Sequence, residues 1–107
     1  MRTSLAIVVI LAAACGPTIG DACTTGTDCG GALCINRDFS PGGYCTLSCK
    51  IEQSTPCPTG SVCVADALAP GSAACFRACL RQTECRNGYT CRSVNGSPTI
   101  CVGAVGF

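Results

Sequence analysis

The chain has 107 residues, and thirteen of them are cysteine. It has no histidine, which removes the commonest general base, and its seven basic and six acidic side chains nearly balance, so net charge gives nucleic-acid binding no support. The cysteine density instead points to a small domain held by disulfides in an oxidising compartment.

Met1-Arg2-Thr3-Ser4 carries one positive side chain and precedes an unbroken apolar run, Leu5 to Leu11, extended by Ala12-Ala13-Ala14. The run falls short of the roughly 20 residues that span a bilayer. Residues 1–14 read as a secretory signal peptide. Residues 15–22 read as a modified N-terminus and tether, with Gly16-Pro17-Thr18-Ile19-Gly20 as linker composition.

Ala12-Ala13-Ala14-Cys15 resembles the lipobox of bacterial lipoproteins. The resemblance implies that the sulfur of Cys15 receives diacylglycerol, that cleavage falls just before it, and that the new amino group takes a further acyl chain such as palmitate. Gly16 stands where an Asp commonly retains such proteins in the inner membrane. By that resemblance the destination is the outer membrane or cell surface. The count agrees: with Cys15 lipidated, twelve cysteines remain and can pair completely.

Those twelve fall into three groups of four. Unit 1 (23–48) holds Cys23, Cys29, Cys34 and Cys45. Unit 2 (49–78) holds Cys49, Cys57, Cys63 and Cys75. Unit 3 (79–101) holds Cys79, Cys85, Cys91 and Cys101. Thr27-Asp28-Cys29, Thr55-Pro56-Cys57 and Thr83-Glu84-Cys85 recur at a 28-residue period, and a glycine (Gly31, Gly60, Gly88) stands three places before each third cysteine, so the chain is a tandem repeat. These glycines are expected at positive φ in turns.

Each unit is expected to be a short β-hairpin with irregular loops. In unit 1, Ala32 to Ile35 and Tyr44 to Leu47 flank Ser40-Pro41-Gly42-Gly43. In unit 2, Ser61 to Ala65 and Ala73 to Phe76 flank Ala69-Pro70-Gly71-Ser72, with Ala65 to Ala69 open to one helical turn. In unit 3, Tyr89 to Val94 and Thr99 to Val102 flank Asn95-Gly96, a strong tight-turn signal. The fold class is small and disulfide-rich, with little or no helix. Units of this size bury too little apolar area to fold unaided. Each bridge contributes on the order of 3 kcal/mol by restricting the unfolded chain. Four cysteines allow three pairings. First with third and second with fourth is the favoured one, since it interlocks each hairpin with the segment before it; pairing across units stays open.

Glu84-Cys85-Arg86-Asn87-Gly88-Tyr89-Thr90-Cys91 has the form acid-Cys-x-x-Gly-x-x-Cys. It resembles the Dickkopf N-terminal region and EGF-like or EB-type cysteine-rich modules, and bacterial cysteine-rich lipoproteins carry similar arrays. The resemblance implies an extracellular module and names no partner.

Metal and redox readings lose to disulfides, because the chain has no Cys-x-x-Cys and no histidine ligand. No catalytic site and no cofactor is expected; the six acids are scattered without a poised pair. After Arg2 leaves with the signal, residues 15–75 carry −3 and residues 76–107 carry +3, the latter from Arg77, Arg81, Arg86 and Arg92 against Glu84. A basic distal unit could touch an envelope polymer or lipid. The inter-strand loops 36–43, 65–72 and 93–98 are candidate recognition loops. Within them Phe39 is the leading anchor candidate, weighed against packing on its own disulfides. The apolar tail, 102–107, either packs on unit 3 or stays free. The functional expectation is a non-enzymatic, lipid-anchored envelope protein serving as an interaction module, with a membrane and an unidentified protein or polymer as partners and no nucleic acid. The alternative is a freely secreted effector or inhibitor.

Overall fold

The structure, a computed structural model, describes residues 18–52 and 57–107. The expected signal peptide, Cys15 and Gly16-Pro17 lie outside the described residues. Among those described there are seven strands and no α-helix: β1 (Leu33–Ile35), β2 (Tyr44–Thr46), β3 (Ser48–Cys49), β4 (Ser61–Ala69), β5 (Ser72–Arg77), β6 (Tyr89–Ser93) and β7 (Thr99–Gly103). They form three antiparallel sheets, β1-β2, β3-β5-β4 and β6-β7. Short 3₁₀ turns, Gly26–Cys29 and Gln82–Glu84, precede the first and third hairpins. The fold is small, disulfide-rich and mostly β, with one hairpin per unit.

The six disulfides are Cys23–Cys34, Cys29–Cys45, Cys49–Cys63, Cys57–Cys75, Cys79–Cys91 and Cys85–Cys101. First joins third and second joins fourth in every unit, as favoured from the sequence, and no bridge crosses between units. The register explains the arrangement. Third and fourth cysteines face each other across each hairpin: Cys34 opposite Cys45, Cys63 opposite Cys75, Cys91 opposite Cys101. Directly opposed residues point to one side of a sheet. Both bridges of a unit therefore leave the hairpin on the same face and strap the preceding segment onto it.

The residues before the second cysteine of units 1 and 3 share a reason too. Asp28 Oδ2 accepts the backbone N–H of Thr24 at 2.8 Å and of Thr25 at 3.2 Å, and Glu84 Oε1 accepts that of Leu80 at 2.8 Å. In both units the acid caps the turn that follows the first cysteine, satisfying donors that a short 3₁₀ segment leaves open. Gly31, Gly60 and Gly88 all have positive φ, as expected. Gly43 is constrained further: its φ is 81° and a Cβ there would overlap the Cys23 carbonyl.

One local expectation is corrected. Ala65 to Ala69 does not form a helical turn; β4 runs on to Ala69 with a register shift after Val64. Asp66 sits at φ 56°, which a right-handed turn cannot contain. Its carboxylate accepts the Gly71 N–H at 2.7 Å and closes the loop as a bulge.

The units are less independent than cysteine grouping alone implies. Ser48, just before Cys49, pairs with Ala74, just before Cys75. Ala78, just before Cys79, bridges to Ile100, just before Cys101. Each linker thus adds a third strand or bridge to the unit that follows it. The segment before unit 1 behaves alike: Cys45 N–H donates to Asp21 O at 2.9 Å, as Cys75 N–H donates to Leu47 O at 3.0 Å. Much of the expected tether is therefore part of the folded body from Thr18 onward.

Four of the five aromatic residues of the chain, Phe39, Tyr44, Phe76 and Tyr89, are buried in one core, and the more exposed Phe107 packs against it. Tyr44 stacks on Phe76 at 4.9 Å and on Tyr89 at 5.7 Å between ring centres, and Phe107 lies 4.2 Å from Phe39 and 5.8 Å from Phe76. The three units and the tail each contribute. Disulfides hold each unit; shared aromatic burial holds the units to one another, as neighbouring repeats do when each lacks a core of its own.

Candidate functional site at the junction of the first two units

An open groove of about 510 Å³ lies where unit 1 meets unit 2. Ile19, Ala32, Leu47 and the Cys29–Cys45 bridge supply apolar lining, and the exposed Thr18, Pro58, Thr59 and Arg77 border it. Linker residues join residues of units 1 and 2 in lining the groove. Thr18 and Ile19 precede unit 1, Leu47 joins units 1 and 2, and Arg77 joins units 2 and 3. Its back wall is fixed: Thr46 is fully buried and its hydroxyl donates to Cys75 O across the junction. The Pro58 carbonyl accepts from Ser61 N–H at 3.0 Å and Ser61 Oγ at 2.6 Å, which sets the turn on the other side.

Thr18 to Asp21 is held firmly at this border. Asp21 accepts the Thr18 N–H at 2.8 Å, Gly20 N–H donates to Cys45 O at 2.9 Å, and Arg86 Nη1 donates to Gly20 O at 2.6 Å. Arg86 Nη2 reaches Pro41 O and Gly43 O, and the guanidinium lies 4.4 Å from the Tyr89 ring centre. Arg92 spends its Nε and Nη2 on Gly103 O, at 3.1 and 2.7 Å. The sequence-level picture of a basic distal face is reduced accordingly. Two of its four arginines bind carbonyls of the protein itself, and the exposed side chains are Arg77 and Arg81.

Phe39 is not an exposed anchor. It is 7% exposed and packs on Phe76 and Phe107 rather than on the disulfides of its own unit. The tail follows it: Gly103 N–H donates to Phe39 O at 2.7 Å, so residues 102–107 turn back over units 1 and 2. The recognition loops are also engaged. Loop 36–43 gives carbonyls to Arg86 and to the Tyr89 hydroxyl, and Asn95 of loop 93–98 donates to Ala65 O at 2.8 Å. The signal for Arg86 and Tyr89 was absent from local pattern, because their partners lie more than 40 positions away.

Three sulfur triads, Cys23/Cys29/Cys45, Cys49/Cys57/Cys63 and Cys79/Cys85/Cys101, have ligand-like spacing. Each draws its sulfurs from two adjacent disulfides. A disulfide sulfur carries no thiolate charge, so the triads are stacked cross-links in this oxidation state. The ionisable groups with displaced titration serve the fold. Burial pushes the Tyr44 phenol up to about 12, against the opposing hydrogen bond from Arg77. Burial also raises Tyr89, opposed by Arg86. The Thr24 and Thr25 N–H groups hold Asp28 below the usual carboxylate range.

Compared with known protein families, with curated proteins and with solved structures, the chain gives no match.

Proposed function

We propose that this chain is a lipid-anchored, non-enzymatic envelope protein, whose disulfide array forms a compact module on the membrane surface. The observation carrying this reading is cysteine parity in the fold. The twelve cysteines from Cys23 to Cys101 close on one another within their own units. They leave no described cysteine for Cys15, the one that follows the apolar run and its small residues. Acylation gives that sulfur a use that an unpaired exposed thiol lacks. Two or more acyl chains anchor stably where one holds marginally. The carboxylates support the non-enzymatic part: Asp21, Asp28, Asp66 and Glu84 each accept a nearby backbone N–H as a turn cap.

Intact mass of the mature protein without reductant tests the reading. It is expected to show cleavage before Cys15, added acyl chains and six hydrogen pairs missing. In detergent phase separation the protein is expected in the detergent phase, and the Cys15→Ser variant in the aqueous phase. An aqueous wild type with an unmodified mass would overturn lipid anchoring in favour of a freely secreted effector.

A further inference from the structure

We infer that the groove between units 1 and 2 is the surface this protein lays against phospholipid headgroups, with Arg77 as its phosphate contact. The inference rests on acylation of Cys15 and adds an orientation to it.

The first step is chain length. Three residue steps separate Cys15 from Thr18, a reach of at most about 11 Å even when fully extended. A diacylglycerol on Cys15 places that residue at the boundary between hydrocarbon and headgroups, and the headgroup layer is itself roughly 5–8 Å deep on each side. Whatever surrounds Thr18 therefore lies at or just outside headgroup depth.

The second step is rigidity at the point of exit. Thr18 is not the end of a loose leash. It is tied to Asp21 through N–H and hydroxyl, at 2.8 and 3.2 Å. Gly20 is bonded to Cys45 of unit 1 and to Arg86 of unit 3. The body thus follows the orientation of Thr18 and Ile19.

The third step is what surrounds that exit. Thr18 and Ile19 are themselves part of the groove, beside Leu47, Pro58, Thr59 and Arg77. Apolar side chains with small hydroxyls and one exposed guanidinium suit an interface of acyl chain, glycerol and phosphate. Arginine meets phosphate oxygens with two parallel N–H donors. Arg77 keeps its side chain exposed while its backbone N–H is used by Tyr44, so the guanidinium is available to a lipid.

The chain has no tryptophan, so a single introduced one is a clean depth reporter. Thr59→Trp places it at the groove, with Pro58→Trp as a second version should the first fold poorly. Ala69→Trp places it at the far end of the β4-β5 hairpin, five steps along the regular partner strand from Arg77 to Ser72 and about 17 Å away. Each acylated variant is reconstituted into vesicles of phosphatidylethanolamine and phosphatidylglycerol containing lipid brominated near the headgroup. Strong quenching at Thr59 or Pro58 and none at Ala69 is expected, with the Thr59 quenching reduced by Arg77→Glu. Equal quenching at both ends, or more at Ala69, overturns the orientation while leaving the anchor intact. Quenching unaffected by Arg77→Glu overturns the phosphate contact. A native chain whose mass shows no acyl group, and which does not associate with vesicles, removes the anchor itself and is told apart by that mass.

Discussion

The Tyr44 phenol oxygen accepts the backbone N–H of Arg77 at 2.8 Å, 33 positions away. Tyr44 is almost fully buried and lies between Phe76 and Tyr89, so one side chain joins unit 1 to unit 2 by a hydrogen bond and to unit 3 by stacking. Tyr44→Phe keeps the ring and removes the acceptor. The Arg77 N–H then loses its partner in a half-buried place, at a cost of about 1–2 kcal/mol. Guanidinium denaturation without reductant is expected to show an earlier midpoint at unchanged slope. An unchanged midpoint would mean that water replaces the phenol at no cost.

Alkaline pH should weaken the fold through the same residue. Burial raises Tyr44 to about 12, whereas an unfolded tyrosine titrates near 10. Between those values the unfolded chain releases a proton that the folded chain keeps. Stability is therefore full below about pH 10 and falls by about 1.4 kcal/mol per pH unit toward about pH 12. Tyr89, also raised by burial, adds to the same fall. Denaturation of the Cys15→Ser chain, which lacks a free thiol to reshuffle disulfides, should show this decline across that window. Tyr44→Phe should flatten it. A stability that stays level past pH 10 would contradict the burial of both phenols.

Arg86 links three carbonyls, those of Gly20, Pro41 and Gly43, while covering the Tyr89 ring. The planar fork of a guanidinium can serve several acceptors at once, and an ammonium cannot hold the same set. Arg86→Lys is expected to cost about 2 kcal/mol, the scale of hydrogen bonds to a charged group. In a double-mutant cycle with Tyr89→Phe the losses should fail to add, because both groups donate to Pro41 O. Additive losses would show that they act separately.

The division between what the chain reveals locally and what it conceals follows sequence distance. The hairpins and their bridges were legible because each is closed within one unit. Asn95-Gly96 has both φ values positive, 50° and 79°, as a tight primed turn requires. Third and fourth cysteines fall opposite each other because the turn between them sets the register. Phe39, Arg86 and the groove were not legible. Phe39 sits in a loop with charged neighbours, which reads as surface; its burial depends on Phe76 and on Phe107 returning from the chain end. Arg86 is one of four arginines of similar appearance, separated from the others only by carbonyls that docking of unit 3 on unit 1 brings near. The groove is lined by residues of two units and of their linkers, and its shape depends on how consecutive units stack.

Removing Phe39 should act on stability and on the tail together. Phe39→Ala deletes a buried ring that Phe76 and Phe107 touch, at a cost of about 3 kcal/mol or somewhat more. Residues 104–107 would lose their seat, and carboxypeptidase should trim the variant faster than the wild type. A variant of normal stability with a protected tail would return Phe39 to the role of an exposed anchor.

Two disulfides of different setting separate loop entropy from packing. Cys23–Cys34 closes a separation of 11 residues and Cys57–Cys75 one of 18. By chain entropy alone each contributes on the order of 3 kcal/mol, with only a few tenths between them, because the dependence on loop length is logarithmic. Their surroundings differ more. Each bridge pairs a buried with a half-buried cysteine, but Cys75 sits at the junction of units 1 and 2, where its backbone accepts Thr46 Oγ1 and donates to Leu47 O. Replacing Cys57 and Cys75 by alanine therefore leaves a void at the junction of units 1 and 2 and loosens the wall of the groove. The expected loss exceeds that of the Cys23→Ala, Cys34→Ala variant by about 1–2 kcal/mol, the scale of a cavity term. Midpoints in guanidinium without reductant measure the difference. Equal losses would mean that loop closure alone governs these bridges and that the inter-unit core contributes little around Cys75.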